Sequence, residues 1–232
     1  MIKIIRSEDR YHANFGWLDT HWHFSFGDYY DPSNMNWSRL RVFNDDIVQG
    51  GGGFGMHPHR DMEIITFMID GTLRHRDSLG NTDTLKPGEV QVMSAGKGIT
   101  HAEVNESKTE PLRLLQIWIE PRSLGTPPRW EQRTFTQQER QNNLLPVVSG
   151  GNITGTLAID QDAAIYVSSL RAGHEVIHAQ EPNRHGYLFV VAGDMSLNGQ
   201  ALSSGDQARI RGETELKLSA TNDAEILLID LP

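Results

Sequence analysis

The sequence predicts an all-β protein made of two tandem halves of one jelly-roll type. Short apolar runs separated by Gly, Pro, Asn and Asp recur along the chain, the rhythm of strands and turns. No segment carries a long apolar repeat at helical spacing. A pattern in the first half, EIITFMIDGTLRHRDSLGNTDTLKPGEVQVM, returns in the second as GYLFVVAGDMSLNGQALSSGDQARI. Each copy reads as an apolar strand, a Gly, a second strand, a Gly turn, a leucine-containing segment, then Gly with an acidic residue before a further strand. Duplicated sets of strands and tight turns form two stacked barrels or sandwiches.

Taken in order, residues 1–5 read as a short strand, and 11–30 are aromatic and histidine-rich before the turn at 31–34. Strands are expected at 38–43 and 45–49, ahead of the glycine run 50–53. Residues 63–70 (EIITFMID) form the strongest candidate strand, being rich in β-branched and aromatic side chains. Strands at 71–77 and 82–85 flank the hairpin-type turn Ser78-Leu79-Gly80-Asn81, and strands at 90–93 and 112–120 close the half. Residues 121–151 lose the periodicity and read as a connection, with a short helix over 135–141 because Gln, Glu and Arg favour helix. Strands then resume at 156–160, 165–170, 187–191, 194–197, 208–210, 215–219 and 225–231. The expected domains are 1–125, holding a metal, a connection over 126–150, and 151–232, without metal ligands.

Composition narrows the function. The 232 residues contain no cysteine, so disulfides and thiolate metal sites are excluded and any metal must be held by His and carboxylate. The formal charge is −9 and no basic cluster exceeds a pair of residues, which argues against direct nucleic-acid binding. No apolar run is long enough to span a membrane. MIKIIRSEDR places charges where a signal peptide needs an apolar stretch, so a cytoplasmic location is expected.

The chemistry concentrates in GGGFGMHPHRDME (residues 51–63) and GKGITHAEVN (residues 96–105). His57 and His59 are two apart, as are His101 and Glu103, and residues i and i+2 of a strand share a face. Two such pairs facing each other bring three imidazoles and a carboxylate to one point. Glu63 is a second carboxylate candidate: on a straight strand it lies roughly 13 Å from His59, and it reaches the site only if the chain turns. Pro58 points away from the site and donates no ladder hydrogen bond, which suits an edge or a bulge. The glycine run lacks the Lys-Ser/Thr of a phosphate loop and reads as a turn that lets backbone approach the site. His21 and His23 also form an HxH, but their aromatic neighbours indicate core or pocket wall. His174, His178 and His185 have no such spacing and read as surface residues, and nothing near residues 211–221 matches His101. Phe24, Phe26, Phe43, Phe54 and Trp118 are explained equally by packing or by an aromatic pocket.

These motifs resemble the cupins. Gly51, His57, His59 and Glu63 follow the first cupin motif, with the closing Gly71 one residue late; Gly98, His101 and Asn105 follow the second, with Gly96 where a proline is usual. Within the two-domain bicupins, HFSFGDYYDP, LRVFNDD, GFGMHPHRDMEI and MSAGKGITHAEVN resemble segments of the pirin family, densely from about residue 16 to 118 and only in pattern beyond. The resemblance implies metal ligands His57, His59, His101 and Glu103, with Glu63 remaining as rival. It implies one divalent transition metal, iron(II) ahead of zinc, manganese, cobalt or nickel, since such ligands select weakly among them. It implies cleavage of a flavonol such as quercetin by dioxygen with release of carbon monoxide, Glu103 taking the proton of the 3-hydroxyl. The expected partners are a small aromatic substrate and dioxygen, with no nucleic acid and no membrane, in a monomer. A second reading, also implied by the family, is a metal-dependent regulator acting through a protein partner. A third, another cupin reaction such as sugar isomerisation or decarboxylation, requires Lys or Arg facing the metal.

Overall fold

The computed structural model describes Met1–Pro232, and the chain separates into two compact units. The first comprises Tyr11–Thr134 with Ile159–Gln161; the second comprises Met1–Arg10, Phe135–Ala158 and Asp162–Pro232.

Each unit holds one seven-stranded and one four-stranded sheet. In the first unit the larger sheet runs Arg129–Thr134, Glu89–Ser94, Glu63–Asp70, Leu112–Ile119, Leu40–Val48, Leu18–Trp22, Tyr11–Asn14, every neighbour antiparallel. The smaller runs Gly53–His59, Ile99–Asn105, Leu73–Asp77, Thr82–Leu85. The expected strand at 63–70 is present with those bounds, and the two expected at 38–43 and 45–49 are one continuous strand, Leu40–Val48. Val42, Asn44, Asp46 and Val48 alternate along it and are all buried. A polar pair in the middle of an inward row cuts the apolar run that the sequence shows.

The second unit repeats the plan. Its larger sheet is ordered Ile2–Ile5, Gln207–Arg211, His185–Ala192, Ala224–Leu231, Ala164–Leu170, Leu145–Ser149, Leu157–Ala158, and its smaller Glu175–Ala179, Glu215–Ala220, Asp194–Leu197, Gln200–Ser203. Two expectations are corrected here. Residues 1–10 fall in the second unit rather than in domain 1–125, because Ile2–Ile5 pairs with Gln207–Arg211 as the edge strand of that unit's sheet. The stretch 126–150 is not merely a connection: it supplies a strand to each unit's larger sheet, Arg129–Thr134 at the edge of the first and Leu145–Ser149 next to the edge of the second. RWEQRT has polar residues on both faces and so carries no apolar alternation to reveal it as a strand. The expected helix is one turn, Gln137–Arg140, fixed by a capping box in which Thr136 and Glu139 satisfy each other's backbone N–H groups.

Candidate metal centre

The site forms on the inner face of the first unit's smaller sheet. His57 and His101 are directly opposite each other in the register of Gly53–His59 against Ile99–Asn105, and a bulge between His101 and Glu103 re-aims the second pair. Gly53, at the start of the edge strand, has φ +155°, and a Cβ there would lie 2.5 Å from Val104 Cα and 2.6 Å from the Glu103 carbonyl oxygen. The glycine therefore permits the close backbone approach expected of it. Pro58 sits on that edge strand, where a missing N–H costs no ladder bond.

The imidazoles of His57, His59 and His101 converge, with ring centroids 4.7 Å (57–59), 4.5 Å (57–101) and 4.9 Å (59–101) apart. Their ligating atoms lie within 4.8 Å of one another. His57 Nδ1 is 2.7 Å from the Gly55 carbonyl oxygen, an acceptor, so Nδ1 carries the proton and Nε2 presents a lone pair. His101 is 1% exposed and neither of its ring nitrogens has a hydrogen-bond partner. A buried imidazole left without partners costs about 1–3 kcal/mol, and coordination of an ion would satisfy it. Burial, reinforced by His57, pushes His59 down to about 4; burial, reinforced by His57, His59 and His75, pushes His101 down to about 2. Both rings are thus neutral at physiological pH, the form that ligates a metal.

Glu103, two residues along the same strand, groups with His101 but not with His57 and His59. It is 2% exposed; Thr66 Oγ1–H donates to its Oε1 (3.2 Å) and Gln116 Nε2–H to its Oε2 (2.9 Å). Burial raises its pKa to about 7 against the pull of those two hydrogen bonds. Glu63, the rival, is elsewhere: its Oε2 accepts from Ser94 (2.6 Å) and lies 4.0 Å from the Arg129 guanidinium. His21 stacks on His12 and His23 on Phe43, neither within the cluster.

The sequence reading missed His75. It is fully buried opposite Glu103, on the strand Leu73–Asp77, and forms a second converging triad with His101 and Glu103. Its Nε2 is 3.4 Å from Asp77 Oδ2, its Nδ1 has no partner, and its ring stacks on Trp130 with centroids 5.7 Å apart. The signal was available in LRHRD, where His75 and Asp77 share a face at the same i, i+2 spacing.

Above the cluster opens a cavity of about 230 Å³. Trp22, Phe26, Phe54 and Trp118 form its apolar wall, and Asn44, Asp46 and Gln116 its polar one. Phe24 and Phe43, also candidates, are buried away from it. No Lys or Arg lines it; Arg60 projects outward to Asp61 and Arg41 donates to the carbonyls of Ser25 and Met35. The requirement of the isomerase or decarboxylase reading is therefore unmet.

Two jelly-roll units, one with a buried histidine and carboxylate cluster suited to a single divalent ion, define a bicupin metalloprotein. Known proteins give the family. A family model described as Pirin matches residues 5–119, and one described as Quercetinase C-terminal cupin domain matches residues 146–231. Quercetin 2,3-dioxygenase of Escherichia coli (strain K12) is 44% identical over 233 residues, covering 100% of this chain and 99% of that protein. A pirin-like protein of Caulobacter vibrioides is 44% identical over 219 residues, 94% of each chain. The crystal structure of bacterial pirin YhhW from E. coli in complex with nickel(II) superposes with a TM-score of 0.95 at 43% identity, covering 100% of this chain and 99% of that one. This chain belongs to the pirin family.

Proposed function

We propose that this chain is a metal-dependent dioxygenase that opens the heterocyclic ring of flavonols such as quercetin with release of carbon monoxide. The observation that carries the reading is the convergence of His57, His59 and His101, with Glu103 grouped on His101, at the base of an aromatic-walled cavity. The match to the quercetin 2,3-dioxygenase of two Escherichia coli strains along the whole chain supports it.

His57, His59, His101 and Glu103 would hold the ion, and iron(II) is the metal we assign to this nitrogen and oxygen donor set. When bound, the metal supplies Lewis acidity toward a hydroxyl of the substrate and a centre for dioxygen chemistry. The protein supplies the rest. Trp22, Phe26, Phe54 and Trp118 hold a planar ring system and exclude water. Trp118 also fixes His59, the two rings meeting edge-on at 4.9 Å. Glu103 is the base: Thr66 and Gln116 each hold one of its oxygens, so the carboxylate enters the reaction already oriented. It accepts the hydroxyl proton at Oε1 or Oε2, leaving the substrate as the electron-rich anion that reacts with dioxygen. No helix of the chain is long and apolar enough to cross a membrane.

Aerobic loss of quercetin absorbance with release of carbon monoxide, measured alongside metal content, tests the reading. Glu103→Gln should lower turnover by about 10²-fold or more while leaving the fold intact. Unchanged turnover in that variant removes the role given to Glu103. A metal-loaded protein that leaves flavonols intact but binds a protein partner in a metal-dependent way establishes the regulatory reading instead.

A further inference from the structure

The polar wall of the cavity contains a residue that neither the metal cluster nor the proton transfer uses. Asn44 lies at the middle of Leu40–Val48, opposite Gln116 on one side and Trp22 on the other. It is 3% exposed, lines the cavity, and its Oδ1 has no hydrogen-bond partner. A buried amide oxygen left unpaired is destabilising, and most such groups in folded proteins are paired. Of the other polar groups on the lining, the Trp118 indole N–H is likewise without a partner, while the remaining amide and hydroxyl neighbours are engaged. Gln116 and Thr66 donate to Glu103, and the Thr20 hydroxyl donates to Asp46 Oδ1. Asn44 thus brings an unpaired amide acceptor to the lining of an aromatic-walled cavity.

Its place in the sheet sets what it meets. Gln116 touches Glu103, and Asn44 is one strand beyond Gln116, about 4.8 Å farther across the cavity wall. A planar ligand whose reacting hydroxyl is at Glu103 extends its ring system past Asn44. An amide oxygen there recognises a hydrogen-bond donor, and on a flavonoid skeleton the donors are phenolic hydroxyls.

We infer that Asn44 is a specificity residue, its Oδ1 accepting a hydrogen bond from a phenolic hydroxyl remote from the reacting one, so that the pocket selects ring-hydroxylated flavonols over the bare 3-hydroxyflavone skeleton. The inference rests on the flavonol reading above and adds a residue and a substrate feature to it. One neutral hydrogen bond to a buried acceptor that otherwise stays unpaired corresponds to roughly a tenfold preference.

The test is equilibrium binding under anaerobic conditions, where no turnover occurs, to nickel(II)-loaded protein. Trp22 and Trp118 line the cavity, so quenching of tryptophan fluorescence reports occupancy directly. Wild type is expected to bind quercetin about tenfold more tightly than 3-hydroxyflavone. In Asn44→Leu the preference should collapse toward unity, with 3-hydroxyflavone bound as well as before. Asn44→Ala removes the same acceptor without added bulk and keeps the ratio measurable if the leucine variant does not fold. An unchanged ratio, or equal weakening of both ligands, overturns the role of Asn44 while flavonol binding stands. Failure of wild type to bind either ligand overturns the flavonol reading, and this inference with it.

Discussion

The two units carry the same sheets around opposite interiors. Gly71 and Gly193 both take positive φ just before the corresponding strands Leu73–Asp77 and Asp194–Leu197. Counting from them, His75 corresponds to Leu197. Leu73 pairs with Asn105 and Met195 with Ala220, so His101 and Glu103 correspond to Leu216 and Leu218. His57, opposite His101, corresponds to His178, opposite Leu216. Three of the buried polar groups in one unit are thus fully buried leucines in the other. Leu197, Leu216 and Leu218 belong to a single cluster with Leu188, Ile210 and Leu228, drawn from both sheets. In the first unit apolar residues gather on either side of the polar row, Leu18, Met68 and Leu114 toward one end and Ile64, Met93 and Ile99 toward the other. Burying a leucine side chain contributes about 1.5–3 kcal/mol, whereas a buried unpaired imidazole costs stability. Chemistry occupies one interior, and the other is free to be a hydrocarbon core. Even the surviving histidine is redirected: His178, expected at the surface, is buried and bonded to Asp230 (2.8 Å), which also accepts from Arg184.

The sharpest way to break this comparison is to truncate the same position in both units. His101→Ala should abolish metal binding and flavonol turnover, because it removes the one ligand that sits between the other two imidazoles and Glu103. Leu216→Ala should leave metal stoichiometry and turnover at wild-type levels but destabilise the protein by about 2–5 kcal/mol through the cavity it creates. Elemental analysis, the quercetin assay and chemical denaturation separate the two outcomes. A Leu216→Ala protein that folds normally yet loses its metal would show that the second unit is not merely a core.

How much of this was legible in the sequence follows from how local each signal is. The i, i+2 pairs 57/59 and 101/103 are strand periodicity written in histidine, and the absence of a His101 counterpart in the second half was readable from the repeat. Thr66, Gln116, Asn44 and Asp46 were not, because each is a polar residue within an otherwise apolar strand of the opposite sheet, and only the pairing of sheets brings it to the site. The swap of Ile2–Ile5 into the second unit was equally hidden, since IKII fits either sheet edge. His178 was misread because HxH spacing says where ligands are and nothing about burial elsewhere.

Giving the first unit the second unit's residue at one further position should have a smaller effect. His75→Leu reproduces Leu197 and removes a buried nitrogen without a partner, so the fold should be retained or stabilised. Its ring lies against His101, centroids 5.4 Å apart, and links that ligand toward Asp77. Loss of such support behind a metal ligand weakens binding about 10–100-fold. Competition with a chelator measures it. Undiminished affinity in His75→Leu would confine His75 to packing against Trp130.

The last expected effect concerns the cost of the polar interior itself. Burial raises Asp46 from the usual 3.8 to about 7, opposed by the Thr20 hydrogen bond and reinforced by the charges of Asp45 and Glu103. The unfolded chain releases this proton near pH 4 while the folded metal-free chain keeps it to about pH 7. The unfolded state therefore binds fewer protons across that window, and stability falls as pH rises through it. Below pH 4 the acid is neutral in both states and costs nothing by this route. Asp46→Asn keeps an acceptor for Thr20 but cannot ionise. Its stability relative to wild type should rise between pH 4 and pH 7 and then level off, by about 4 kcal/mol in all. Denaturant titrations of the two metal-free proteins at pH 4 and pH 8 measure the difference. A gain that is the same at both pH values would trace the effect to packing, and the polar row of the first unit would then carry no electrostatic cost at this position.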